Sequence, residues 1–170
     1  MTAATTLTAI TFYVLGVLAQ VFRKNEEKFS YDKVSFGLMT IGLIGHGFAT
    51  FLILEGDQGV NISLLSVTNF GSYLVLVFIS LMSLRLPVAN LMLIGTPVAI
   101  IIVLLAAFLP QESAKQISTE SPLLFHIFAS VAAYVALFMA TVQSVLLGLQ
   151  ESKLKTRTGS LGSLVPPLET

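Results

Sequence analysis

The sequence has no cysteine, no tryptophan, two histidines and little charge: 11% of its 170 residues are Asp, Glu, Lys or Arg. Without cysteine these residues can hold no disulfide, thiolate metal site or iron–sulfur cluster. A soluble domain carries about 25% charged residues. The charge that is present cancels, with nine basic and nine acidic side chains, so nothing here marks a nucleic-acid partner. It also falls in short clusters, and no carboxylate lies within the long apolar runs between them.

Those runs dominate the chain. Residues 1–22, 34–54, 58–84, 86–111 and 121–150 are uncharged, and 55% of the whole is hydrophobic. Each run exceeds the ~18 residues at which an apolar stretch reads as a transmembrane helix. A membrane barrel would instead show alternating segments of ~10 residues. The first run lacks a basic region ahead of it and a small-residue cleavage site after it, so it reads as a retained helix rather than a signal peptide. The expected fold is an all-α integral membrane protein, a bundle of five transmembrane helices over about 5–22, 34–54, 62–84, 87–109 and 122–149. Residues 1–150 form that domain, and 151–170 read as a truncated cytoplasmic loop or tail.

Basic residues set the expected orientation. Arg23, Lys24, Lys28, Lys33, Arg85, Lys153, Lys155 and Arg157 fall on one side of the alternating helices, and Lys115 on the other. The N-terminus is therefore expected outside and the C-terminus in the cytoplasm. Asp57-Gln58-Gly59 reads as a turn, and Asn61 as the N-cap of the third helix. Leu86-Pro87 opens the fourth helix after a short link. Pro97 should kink that helix, and Pro110 ends it. Ser121-Pro122 reads as N-cap and first residue of the fifth. Residues 111–120 carry a weak amphipathic signal.

Both histidines lie inside apolar runs, where an imidazole usually marks a ligand, proton or redox site. His46 is flanked by Gly45 and Gly47. Glycines let helices pack closely in lipid, and they also leave room for a flat ligand. His126, Ser130 and Tyr134 repeat at steps of four, so they share one helix face, with Thr141 near the same stripe. Ser66, Asn69 and Tyr73 form a similar line on the third helix. Interhelical hydrogen bonding accounts for Ser66, Ser130 and Thr141; Asn69 and Tyr73 could orient a histidine or a ligand. Helix rise puts His46 ~12 Å and His126 ~6 Å from the expected outer ends of their helices. Two imidazoles without a carboxylate make a poor zinc site. A proton relay would want an intramembrane acid. No nucleotide-binding glycine loop or nucleophile–base pair is present, which argues against an enzyme. Haem needs one or two axial nitrogens and a flat apolar cavity. Chemistry alone leaves haem ligation and a hydrogen-bonded structural histidine level.

Several motifs occur in a familiar order: Gly45-His46-Gly47, Asn61-Ile62-Ser63-Leu64-Leu65, Phe108-Leu109-Pro110, Ser121-Pro122 ahead of Phe125-His126, and Val165-Pro166-Pro167-Leu168-Glu169-Thr170. Together they resemble the cytochrome c assembly family of bacterial inner-membrane proteins, in its small YpjD/HemX-like branch. The resemblance implies a multi-pass inner-membrane protein that binds or passes haem for cytochrome c maturation. It implies His46 and His126 as axial haem ligands. Their neighbours by sequence and helix face, Gly45, Gly47, Asn69, Tyr73, Ser130 and Tyr134, are then the expected pocket. Family members continue through further helices, so the implied partners are haem, lipid, those C-terminal helices and other assembly proteins. Larger members carry a tryptophan-rich external motif, which has no counterpart here. The alternatives are a membrane regulator of haem biosynthesis and a small transporter or channel subunit.

Overall fold

A computed structural model of the chain describes residues 1–22, 33–84, 89–110 and 114–156. Among these, five helices are long and apolar enough to cross a membrane. They are α1 (Thr2–Val21), α2 (Lys33–Leu54), α3 (Leu64–Ser83), α4 (Ala89–Phe108) and α5 (Pro122–Thr156). Twenty residues of helix rise ~30 Å, the thickness of a bilayer's hydrocarbon core. In that medium the backbone has to bond to itself, and a helix does so within one segment. Several hydroxyls in the spans follow the same rule. Thr8, Thr40, Thr68 and Thr141 each donate to the carbonyl four residues earlier, at 2.7–2.9 Å.

One end of the bundle carries a feature the sequence did not announce. Glu55–Gly56 (β1), Gly59–Ile62 (β2) and Lys115–Ile117 (β3) form an antiparallel sheet in the order β1-β2-β3. It ties the α2–α3 link to the residues before α5. The expected turn at Asp57-Gln58-Gly59 becomes the tip of the β1–β2 hairpin, with Gly56 opposite Gly59. Gly59 has φ 148°, and a Cβ there would run into the Ile117 carbonyl, so only glycine fits. The Gln58 N–H donates to Gln116 Oε1 at 3.0 Å, fastening the tip to β3.

Helix α3 is capped by Ser63 rather than Asn61. The Ser63 hydroxyl accepts from the Ser66 N–H, and the Ser66 hydroxyl accepts from the Ser63 N–H, a reciprocal capping box. Asn61 contributes its carbonyl, which accepts from Ser66 Oγ at 2.9 Å. Ser121 precedes α5 as expected, with the Leu123 N–H 3.3 Å from its hydroxyl. Helix α4 runs through Pro97 from Ala89 to Phe108. Helix α5 continues past the expected limit to Thr156. The basic cluster Arg23, Lys24 and Lys28, the Arg85-Leu86-Pro87 link, and Arg157 with the tail to Thr170 lie outside the described residues.

The tightest packing is between α1 and α2, and it is built from small residues set against large ones. A Cβ on Gly42 would lie 2.6 Å from the Tyr13 ring, and one on Gly16 3.0 Å from the Met39 side chain. Gly45 rests on the backbone of Ala9, where a Cβ would sit 3.3 Å from Ala9 Cα. Helix α4 covers α3 and α1, and Tyr13, Met39, Leu76, Ile79, Met92 and Ala99 close the centre. Helix α5 stands to one side. It packs mainly on α3, through Phe128 against Phe70 and through Gln143, whose amide donates to the Met82 sulfur.

The backbone contact at Gly45 cannot yield as a flexible side chain could. Gly45→Leu should therefore destabilise the protein by ~1–3 kcal/mol through overpacking. Gly148→Leu, with nothing within 4 Å, should be near neutral. Thermal unfolding in detergent checks this, and equal midpoints for the two variants would refute the packing argument.

Candidate functional site

His46 sits on the buried face of α2, with 0% of its surface exposed, beside Asn69 of α3 and Tyr13 of α1. Its Nδ1 lies 3.2 Å from the Tyr13 hydroxyl, and its Nε2 lies 3.1 Å from Asn69 Oδ1. The Asn69 amide nitrogen donates to Thr50 Oγ1 at 2.9 Å. With the amide in that orientation, Nε2 carries the proton and donates to Asn69, while Nδ1 accepts from Tyr13. Turning the amide over reverses each bond and still engages both ring nitrogens. Tyr73 adds its ring edge, with centroids 5.5 Å apart at 68°.

The sequence-derived site therefore divides in two. His46, Asn69 and Tyr73 come together. Gly45 and Gly47 flank the ring as expected, but the space beside them is taken: Ala9 lies against Gly45, and the Tyr73 hydroxyl against Gly47. His126, Ser130 and Tyr134 share a face of α5, as the spacing of four requires. His126 and Tyr134 are exposed there and Ser130 is half-buried. Among the described residues, the side chains of His126, Ser130 and Tyr134 make no hydrogen bond. The two histidines belong to helices without extensive mutual packing. His46 is eight residues from the end of α2, and His126 four from the start of α5, so both lie towards the sheet end.

Sequence reasoning missed Tyr13 and Thr50. Thr50 was findable, because it lies four residues after His46 on the same helix face. Tyr13 depends on the register of α1 against α2, which no local pattern encodes.

A cavity of about 560 Å³ opens between α3, α4 and α5, walled by Gly71, Gly95, Val98, Val131, Tyr134 and Phe138 among others. Neither histidine lines it. Among the described residues no group of three or more His, Asp or Glu side chains could hold a metal ion.

The chain is similar to curated proteins called inner membrane protein YpjD. Those of Escherichia coli K12, O6:H1 and O157:H7 are each 28% identical to it over 130 residues, 75% of this chain and 49% of theirs. The chain thus spans about half the length of the curated relatives it matches. No family profile and no solved structure matches it. This likeness and the five apolar helices place the chain in a bacterial inner membrane as a multi-pass protein.

A test for haem follows from these positions. In this arrangement His46 has no free ring nitrogen, and ligation there would require it to release Tyr13 or Asn69. Among the described residues, the His126 ring has no hydrogen-bonding partner. Ligation of one haem by both rings would begin with His46 giving up one of its partners.

The network makes a prediction about stability. Asn69→Leu breaks two bonds and strands the His46 and Thr50 groups. At ~0.6 kcal/mol per interhelical bond on average, and ~1.7 at most, the loss should be about 1–3 kcal/mol. Tyr13→Phe breaks one bond and should cost less. Detergent unfolding that ranks Tyr13→Phe at or above Asn69→Leu would refute the assigned connectivity.

Proposed function

We propose that this chain is a haem-handling inner-membrane protein serving cytochrome c assembly, with haem as cargo rather than a resident group. In this reading the N-terminus lies outside, the C-terminus lies in the cytoplasm, and the sheet faces outside. The bias of basic residues supports that orientation. The motif order supports the assembly role. The observation that carries the haem reading is His126, an imidazole exposed on a membrane-spanning helix ~6 Å below its outer end.

Each residue then has a task. His126 offers a ring nitrogen to the iron. Ala129 and Ala133, a turn or two further on, leave a shallow surface against which a flat macrocycle could lie. Ser130 and Tyr134 present hydroxyls on the same face. His46 is the second candidate ligand, available if it exchanges one of its hydrogen-bonding partners. In its present bonds it holds α1, α2 and α3 together beneath the outer surface. No catalytic role is proposed. The regulator alternative would bind haem at the same place and pass none on. The transporter alternative would run a solute past Asn69, which here is bonded to His46 and Thr50.

The experiment is a haem titration of purified protein, read by the Soret band. His126→Ala should lose the histidine-ligated spectrum while the protein stays folded. His46→Ala should weaken the fold, and at a temperature where it remains folded should keep a His126-ligated spectrum. Absence of a shifted, histidine-ligated Soret band with the unaltered protein, or an unchanged band in His126→Ala, would end the haem reading. Transfer of bound haem to an apocytochrome would separate assembly from regulation.

A further inference from the structure

The lipid-facing surfaces of this protein differ from one another. On α2 the exposed side is made of Ile41, Ile44, Phe48 and Phe51, and on α4 of Ile94, Val98, Ile101 and Leu105. These are the large apolar side chains that hydrocarbon accommodates. Helix α5 presents another kind of surface. Starting at His126 and stepping four, three, four, three, four gives His126, Ser130, Ala133, Leu137, Ala140 and Ser144. Steps of four and three follow one face of a helix, the spacing at which two helices stay in contact along their length. Four of its six members are small, and Leu137 alone is a large apolar residue. Apart from half-buried Ser130, all are exposed.

Neither the size nor the polarity suits lipid. A histidine or serine in hydrocarbon wants a hydrogen-bonding partner, and His126 and Ser130 have none among the described residues. Small residues along a seam let a second backbone approach closely, which is how helices associate in membranes. Helix α5 also buries the smallest share of its membrane span, 17% against 33% for α2. Its packing on α3 uses other faces, through Phe128, Val131 and Val135, and the nearby cavity borders the seam at Tyr134.

We infer that this seam of α5 receives another membrane-spanning helix, the counterpart of material that the curated relatives carry outside the stretch matched here. The occupant has to be a helix, because at this depth an exposed backbone would find no partner. Its chemistry follows from the seam: small residues opposite Ala133 and Ala140, and a hydrogen-bonding side chain opposite His126 and Ser130. The relatives' length supports a different segment over a second copy, since the matched stretch fills 49% of them. The inference rests on the membrane-spanning fold and not on haem.

Since these 170 residues contain no cysteine, an introduced one has no competitor among them, and labelling is read on the affinity-purified protein against the same protein without the substitution. The full chain, carrying Ala140→Cys on the seam or Ile44→Cys on the lipid face of α2, is expressed from its own locus. Native membranes are then treated with a lipid-soluble maleimide. Ala140→Cys should react several-fold more slowly than Ile44→Cys. Adding Ala133→Trp, which forces the helices apart, should bring it up to the Ile44→Cys rate. If Ala140→Cys labels as fast as Ile44→Cys from the start, the seam faces lipid and the inference fails. If it forms a disulfide-linked homodimer, a second copy occupies the seam and this occupant is wrong. Loss of haem binding with Ala140→Cys still shielded would count against the haem reading alone. Haem binding with an unshielded seam would count against this one alone.

Discussion

The requirement that His46 find partners in a medium that offers none organises the bundle. Water cannot reach the ring, and lipid cannot replace it. Each nitrogen is instead met by a neighbouring helix, Nδ1 by Tyr13 of α1 and Nε2 by Asn69 of α3. These two bonds fix three helices in depth and rotation, which apolar packing alone would leave freer. The glycines belong to the same device. The Tyr13 ring lies across α2 where Gly42 leaves space for it. Gly45 lets α1 come close enough for the hydroxyl to meet the imidazole. Packing and polarity thus specify one arrangement, and neither gains its full value without the other.

Much of this was legible in the sequence because hydrocarbon imposes a coarse rule. Uncharged runs longer than ~18 residues become spans, and the polar residues within them turn inward or towards another helix. That rule placed the five helices and turned Asn69 and Tyr73 towards the bundle, without saying that His46 is what they meet. It could not supply the sheet, whose strands of two to four residues are too short to show a period. Their pairing depends on Lys115–Ile117 returning beside the α2–α3 link, a long-range event. The cap of α3 was misjudged for a local reason. Asn61 and Ser63 both qualify by type, and the choice was made by Ser66, which reaches back to the Ser63 N–H.

The two histidines looked equivalent in the sequence, and their physical states differ. His46 is closed off, with both nitrogens bonded and neighbouring glycine space filled. His126 is open, one turn into α5. The same chemical expectation, that an imidazole in a membrane needs a partner, is met inside the chain in one case and unmet among the described residues in the other. A ring in the first state gives its energy to the fold. A ring in the second is available to bind.

This difference follows the architecture. Helices α1 to α4 interlock, and their outward faces carry side chains that lipid accommodates. Helix α5 uses one side to hold α3 and leaves small and polar residues on another. A helix that only anchored the chain would not need that second side, since leucine or phenylalanine would serve better there. Retaining alanine and serine at these positions gives up apolar contact with lipid. That loss is recovered when another backbone comes close enough to use the gap, and His126 at the head of the seam then gains a neighbour able to hydrogen-bond it or to share its ligand.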